Sequence, residues 1–309
     1  MKNLSKIKVV GVGGSGSNAV SRMKKYKIKG VDFIVINTDA QDLKKAKADI
    51  KLRIGKEITK GLGAGMNPEI GRKAAEESQS EIEEVLKESD MVFVTGGEGG
   101  GTCTGAAPVV ARIAKSSGAL TLAIVTRPFS FEGAFRKKIA ENGIKKIKEE
   151  VDTLIVISND RLLETLNPNI SLVSAFWICD DILRQAVQGI SDLIMLPGII
   201  NIDFSDVKTI MKNAGTALLG VGISQGEKRA ETAAKLAINS PLLDISCKGA
   251  KGILFNVSGG KDLTLFEINT VAKVITHNAD SQAKIIFGAV KDGSLKKGEM
   301  KVTVIATGF

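Results

Sequence analysis

The sequence predicts an α/β protein in which a mostly parallel, Rossmann-type sheet leads into a long central helix and then into a second, smaller α+β domain. Three observations carry this reading. Short, nearly all-apolar runs alternate with amphipathic helical patterns through the first half of the 309 residues, as a parallel sheet covered on both faces requires. The stretch 171–194 then keeps helical character for some 24 residues with no proline and one late glycine, about twice the average helix, and can join two domains. Beyond Pro197-Gly198 the pattern changes. A chain of this length is also expected to form two domains, drawn here at 1–170 and 196–309 around a connecting helix at 171–195.

Taken in order, the expected strands of the first domain are 8–13, 33–37, 91–95, 120–125 and 153–158, each with helices between. One helix is well marked: Asn67 can cap it, Pro68 takes its first position, and Ile70, Ala74, Ile82, Val85 and Leu86 make an apolar stripe. It should end near Ser89. The second domain reads as helix 204–213, strand 217–224, helix 227–239, strand 252–257 and helix 264–278, closed by strands 283–290 and 301–307. That order suggests a smaller sheet with helices on one side.

Composition narrows the function. Apolar residues are 43% and charged residues 25%, ordinary for a water-soluble globular protein. No apolar run approaches the eighteen or so residues of a membrane span, and MKNLSKIKVV runs into a strand without a signal-peptide core, so a cytoplasmic protein without direct membrane contact is expected. Cys103, Cys179 and Cys247 are far apart and read as reduced thiols. The net charge of +9 raises nucleic-acid binding, but only 4% of residues are aromatic and the lysine runs at 24–29 and 137–148 read as solvated faces. No nucleic-acid partner is expected.

Two glycine clusters carry the chemistry. Gly11-Val12-Gly13-Gly14-Ser15-Gly16 follows the first strand and satisfies Gly-x-Gly-x-x-Gly, with a helix expected from about Ser17 whose free N–H groups would face a phosphate. Alone, the pattern is also what a tight strand-to-helix turn needs. The second cluster, Gly96-Gly97-Glu98-Gly99-Gly100-Gly101-Thr102-Cys103-Thr104-Gly105, again follows a strand and opens a helix, and six glycines in ten positions imply a use for exposed backbone N–H groups. No Gly-x-x-x-x-Gly-Lys-Ser/Thr sequence exists, so the phosphates would be held by backbone amides, threonine hydroxyls and a magnesium ion.

Gly101-Thr102-Cys103-Thr104-Gly105 resembles the Gly-Gly-Gly-Thr-Gly-Thr/Ser-Gly signature of the tubulin/FtsZ family of cell-division and cytoskeletal GTPases. Asn37-Thr38-Asp39-Ala40-Gln41, Thr126-Arg127-Pro128-Phe129-Ser130-Phe131-Glu132-Gly133, Asn159-Asp160-Arg161 and Asn201-Ile202-Asp203-Phe204-Ser205-Asp206 resemble it too, and the similarity runs to Phe309. The resemblance implies a tubulin/FtsZ-like fold that binds GTP and GDP with Mg2+. It implies that Gly13, Gly14, Ser15, Asn18, Asn37, Gly97 and the loop Gly99, Gly100, Gly101, Thr102, Cys103, Thr104 and Gly105 surround the nucleotide, with Asp39 near the magnesium or phosphates. Glu132 and Arg136 would contact ribose and phosphate, Asn159 and Asp180 would read guanine, and Phe176 would stack on the base. No dedicated metal-ligating side chains are implied.

By the same resemblance, Asp203 and Asp206, with Asn201, would enter the nucleotide site of the next subunit and polarise the attacking water, so hydrolysis would require a head-to-tail homopolymer. The protofilament would act at the midcell division site, its membrane tether and division proteins binding through a C-terminal tail outside this chain. Taken singly, Asn159 is also a turn residue, Asp180 a polar helix face, Phe176 a core aromatic and Asp203 an N-cap.

The sequence departs from the family at Cys103, Ser15, Ser17 and Ala134-Phe135. Cys103 replaces a glycine and is expected to be tolerated if its φ is negative; slower turnover is the hypothesis it raises. An NAD-dependent oxidoreductase, with Asp32 or Asp39 downstream of the first cluster, explains about forty residues and leaves the second cluster idle. A nucleotide-binding filament scaffold with little or no hydrolysis is the other alternative.

Overall fold

The computed structural model describes residues 5–309 other than 27, 29, 165–168, 196–197, 201, 240–248, 278 and 293–294. Contacts divide the chain into two compact units, Met1–Gln188 and Gly189–Phe309.

In the first unit the strands β1 (Ile7–Val12), β2 (Val31–Asn37), β3 (Ile50–Arg53), β4 (Met91–Gly97), β5 (Leu120–Arg127) and β6 (Thr153–Ser158) lie in the order β3-β2-β1-β4-β5-β6, all parallel. Apart from β3 they are apolar and buried, because helices cover both faces. The helices are α1 (Gly13–Lys25), α2 (Ala40–Lys45), α3 (Lys56–Thr59), α4 (Pro68–Glu77), α5 (Gln79–Leu86), α6 (Gly101–Ser116), α7 (Ala134–Glu150) and α8 (Asn159–Leu163). Val10, Val12, Ile34, Val94 and Val125 of the strands pack with Ala106, Val110 and Ile147 of the helices in one core. The chain moves one way across the sheet after β1 and the other way after β4, so a crevice opens beyond the ends of these two strands, where ligands of such sheets bind.

Two expectations are corrected here. The helix expected from Asn67 to Ser89 is two helices, broken at Ser78. The reason is not local: Ser78 Oγ accepts the Gly55 N–H at 3.2 Å, and the neighbouring Glu77 carboxylate accepts the N–H groups of Glu57 and Ile58 at 3.1 and 3.2 Å. The break places both residues at the N-terminus of α3. Strand β3 was not expected; its Ile-Lys-Leu-Arg sequence pairs only with β2 as a mostly exposed edge.

Helix α9 (Leu172–Met195) runs through the division between the units. The second unit holds α10 (Phe204–Met211), β7 (Gly215–Gln225), α11 (Arg229–Ile238), β8 (Gly252–Gly259), α12 (Leu265–Thr276), β9 (Lys284–Lys291) and β10 (Glu299–Thr307). Its strand order is β7-β10-β8-β9, antiparallel except for the β8–β9 pair. Ala230, Ala233 and Ala237 of α11 and Val271 of α12 pack on Phe255, Val302 and Val304. Arg229, nearly buried, pins this layer through Glu267 and Asp262 at 2.6 and 2.7 Å.

Candidate functional site

The two glycine clusters stand at the ends of β1 and β4, side by side. Gly13 turns the chain at φ +72°, so α1 begins there rather than near Ser17. A side chain at Gly13 would be strained and would press on the Cys103 backbone at 3.2 Å. Neither α1, behind Val12, nor α6, behind Gly100, has a side-chain cap, so the first N–H groups of both helices have no side-chain acceptor and suit an anion.

Gly101, Thr102, Cys103, Thr104 and Gly105 form the first turn of α6. Cys103 is therefore helical with a negative φ, and its thiol lies buried beside Gly96. Its Cβ imposes no backbone strain. Thr104 Oγ1 accepts the Gly99 N–H at 2.9 Å and holds the loop from below, while the Thr102 hydroxyl pairs with that of Thr38 at 2.7 Å. Gly105 packs against the backbone of Pro68, Gly101 against Ala64 and Asn67, and Gly100 borders open space.

On one side of these loops lies a cavity of about 210 Å³. Of the residues expected around a nucleotide, Ser15, Asn18, Gly97, Glu132, Arg136, Asn159, Phe176 and Asp180 all line it. They come from α1, β4, α7, α8, α9 and the 3-10 turn Ser130–Glu132. Phe176, 40% exposed, meets Phe129 edge-on at 5.3 Å, and Phe129 stacks on Phe131 at 4.9 Å. Glu132 accepts the Phe129 N–H at 2.8 Å and lies 3.2 Å from Arg136 Nε, at an angle that leaves this N–H without a hydrogen bond. Asn159 is buried and its Oδ1 has no partner.

Three of the six buried, unpaired side-chain polar atoms among the described residues belong to this wall: Glu98 Oε2, Arg136 Nε and Asn159 Oδ1. Such clustering is the mark of a polar ligand site. Asp180 is 8% exposed and pairs with Arg22 Nε at 2.9 Å. Burial pushes its carboxyl up to about 6 in spite of Arg22, whose guanidinium also stacks on Trp177 at 4.8 Å.

On the other side is an open, polar basin of about 480 Å³, lined by the expected Gly14, Asn37, Asp39 and Thr102. Asp39 caps α2, accepting the N–H groups of Gln41 and Asp42 at 2.8 and 3.0 Å. Asp42, which the sequence reading passed over, also lines the basin; Asn37 Nδ2 donates to it at 2.8 Å. Burial and the neighbouring Asp39 raise its carboxyl above the usual range.

The acidic loop lies in the second unit. Asp203 stands at the N-cap of α10, and its N–H donates to Asp206 Oδ2 at 3.3 Å; both side chains are exposed. Asn201 lies outside the described residues. Sequence reasoning also missed Glu98 and Cys179 in the cavity wall, and Arg22 as the ion-pair partner of Asp180; Glu98 alone had a local signal, a carboxylate inside a glycine run behind a buried strand.

Residues 6–167 match the GTPase domain of the Tubulin/FtsZ family, and residues 215–309 match the C-terminal domain of the FtsZ family. An empty FtsZ dimer from M. jannaschii is similar at 48% identity and a TM-score of 0.95, covering 100% of this chain and 89% of that one. A single-substitution mutant of FtsZ from the same organism gives the same identity and TM-score over 99% and 92% of the two chains. CetZ2 from Haloferax volcanii, in a GTPgS-bound protofilament, shares the fold at 20% identity and a TM-score of 0.85, over 97% and 92%.

Proposed function

Because this chain belongs to the tubulin/FtsZ family of cytoskeletal GTPases, we propose that it binds GTP across its two glycine clusters, polymerises head to tail for cell division, and hydrolyses GTP only when assembled. The observation that carries this reading is the convergence of eight expected residues on one cavity whose wall holds unpaired polar atoms. The base would lie against Phe176, with the Asp180 carboxylate accepting from guanine N1–H and its exocyclic amine, a pair of donors that adenine lacks. Asn159 would add its free Oδ1, and Arg136 and Glu132 would meet ribose and phosphate. The phosphates would cross Gly97–Gly101 to the basin, facing the N-termini of α1 and α6.

No group of three carboxylate, thiol or imidazole side chains gathers to hold a metal among the described residues. The basin is nonetheless polar and carries Asp39 and Asp42, which suits a magnesium ion held mainly by phosphate oxygens and water. Bound there, magnesium would neutralise charge on the phosphates. Asp203 and Asp206, exposed at the head of α10, would polarise the attacking water in the next subunit's site. The chain then needs little covalent chemistry of its own, since phosphoryl transfer depends on positioning and charge.

No helix among the described residues is long and apolar enough to cross a membrane. Placement at the division site rests on membership of the family alone. The test is phosphate release from GTP and from ATP with magnesium across a range of protein concentrations. GTP-selective release whose rate per subunit climbs steeply above a threshold is expected; absent or concentration-independent release would overturn assembly-dependent hydrolysis.

A further inference from the structure

Glu98 is buried, at 2% exposure, in the wall of the nucleotide cavity and directly ahead of Gly99. Its N–H donates to the Thr126 carbonyl at 2.9 Å, so its backbone is fixed to β5. Its side chain turns inward, between α6 and α7. Gly143 of α7 makes the room, because a Cβ there would stand 2.2 Å from Oε2. Oε1 accepts from the Cys103 thiol at 3.8 Å, and Oε2 has no partner.

Cys103 and Thr104 from α6 and Gly143 from α7 face this carboxyl, and none of them carries a charge. Arg136, which α7 packs against Gly99, is paired with Glu132. Burial pushes the Glu98 carboxyl up to about 7 against the smaller pull of the Thr104 hydroxyl and the Cys103 thiol. Burial and Glu98 itself in turn hold the Cys103 thiol far above its ordinary range, so it stays a donor.

We propose that Glu98 is a positioning residue for the phosphate loop that works in its neutral form, so that binding a nucleoside di- or triphosphate takes up a proton. An ionised Glu98 would place a poorly solvated negative charge two residues before the N-cap of α6, where the phosphates of the proposed nucleotide must sit. Two such charges repel strongly away from water. Neutral Glu98 removes the repulsion and keeps Thr104, the acceptor of the Gly99 N–H, in place beneath the loop. Linkage makes the effect reciprocal: nucleotide favours the protonated acid, and protonation favours nucleotide.

This inference rests on the nucleotide reading above, and calorimetric titration with GDP separates the two. At pH 8 the nucleotide phosphates are already ionised. Titrations in two buffers of different ionisation enthalpy should then show the unaltered protein taking up close to one proton per GDP, and Glu98→Gln taking up none. Between pH 6 and pH 8 the unaltered protein should lose about tenfold more affinity than the variant, the limit for one linked proton with a pKa near 7. Equal pH slopes, or no proton uptake by the unaltered protein, would overturn the role of Glu98 while leaving the nucleotide site intact. The proton count needs no variant, so it decides the matter even if Glu98→Gln folds poorly. Failure to bind GDP at either pH would sink the nucleotide reading itself, and this inference with it.

Discussion

The proposed nucleotide cavity and the acidic loop at the head of α10 are both polar, yet they treat their polar groups in opposite ways. Asn159 Oδ1 is buried without a partner, Arg136 Nε is buried with an ion pair to Glu132 but no hydrogen bond, and Asp180 is buried with a single ion pair. A buried group left unpaired costs about 1–3 kcal/mol, which a fold tolerates where a ligand relieves it. Asp203 and Asp206 are exposed and bonded to each other's backbone or side chain, so they cost the fold little. The cavity is organised for binding at the expense of stability. The loop satisfies its own polar groups and leaves both carboxylates exposed, as the proposed role in a neighbouring site would require.

That contrast can be broken most directly at the loop. Asp203→Asn or Asp206→Asn should reduce GTP hydrolysis on the order of a thousandfold, the usual weight of a water-activating carboxylate. GDP affinity and thermal stability should stay within error. A parallel loss of binding in a calorimetric titration would erase the division between the two regions.

In the cavity the next effect is on stability. The folded-state value for Glu98, about 7, exceeds its ordinary 4.5, so its favourable contribution is present in acid and fades as pH rises through 7. At pH 8 Glu98→Gln should then gain about 3 kcal/mol in denaturant unfolding of the nucleotide-free protein, as an upper figure. A loss instead would mean that the carboxylate, not the acid, is the form that packs.

Asp180→Asn should cost GTP about tenfold or more in affinity and narrow its preference over ATP, since a charged hydrogen-bond pair is removed. In the proposed recognition guanine would need the ionised form, so in the unaltered protein this preference should fade below pH 6. An unchanged preference in competition binding at pH 5 would remove Asp180 from base recognition. The smallest effect is expected at Cys103. Cys103→Gly deletes a buried thiol and puts glycine in a helix, at a cost of roughly 1–2 kcal/mol in melting experiments, and hydrolysis should move less than twofold. Markedly faster turnover would show that the cysteine restrains the phosphate loop.

The parallel strands were legible because burial on both faces leaves near-continuous apolar runs, and the glycine clusters because they interrupt those runs at the strand ends. Asn159, Phe176 and Asp180 carry no local signal; only the resemblance drew them out, and the fold brings them to one wall. What escaped were features defined by distant partners. Arg22 matters through Asp180, far along the chain, and the break at Ser78 exists because Gly55, Glu57 and Ile58 need acceptors there. Strand β3 escaped because an exposed edge pairs on one side only and needs no apolar run.

The notch at Gly143 makes two distant positions in the chain a single evolutionary unit. Any residue larger than glycine at 143 would collide with the Glu98 carboxyl and with the Thr104 methyl, whereas a shorter residue at 98 would open a void over the same notch. A larger residue at 143 is therefore blocked until residue 98 has changed, whereas 98 can change first at the cost of a void. A lineage that changes residue 98 inherits a new freedom at 143, and the order in which the two substitutions arise decides which paths are passable.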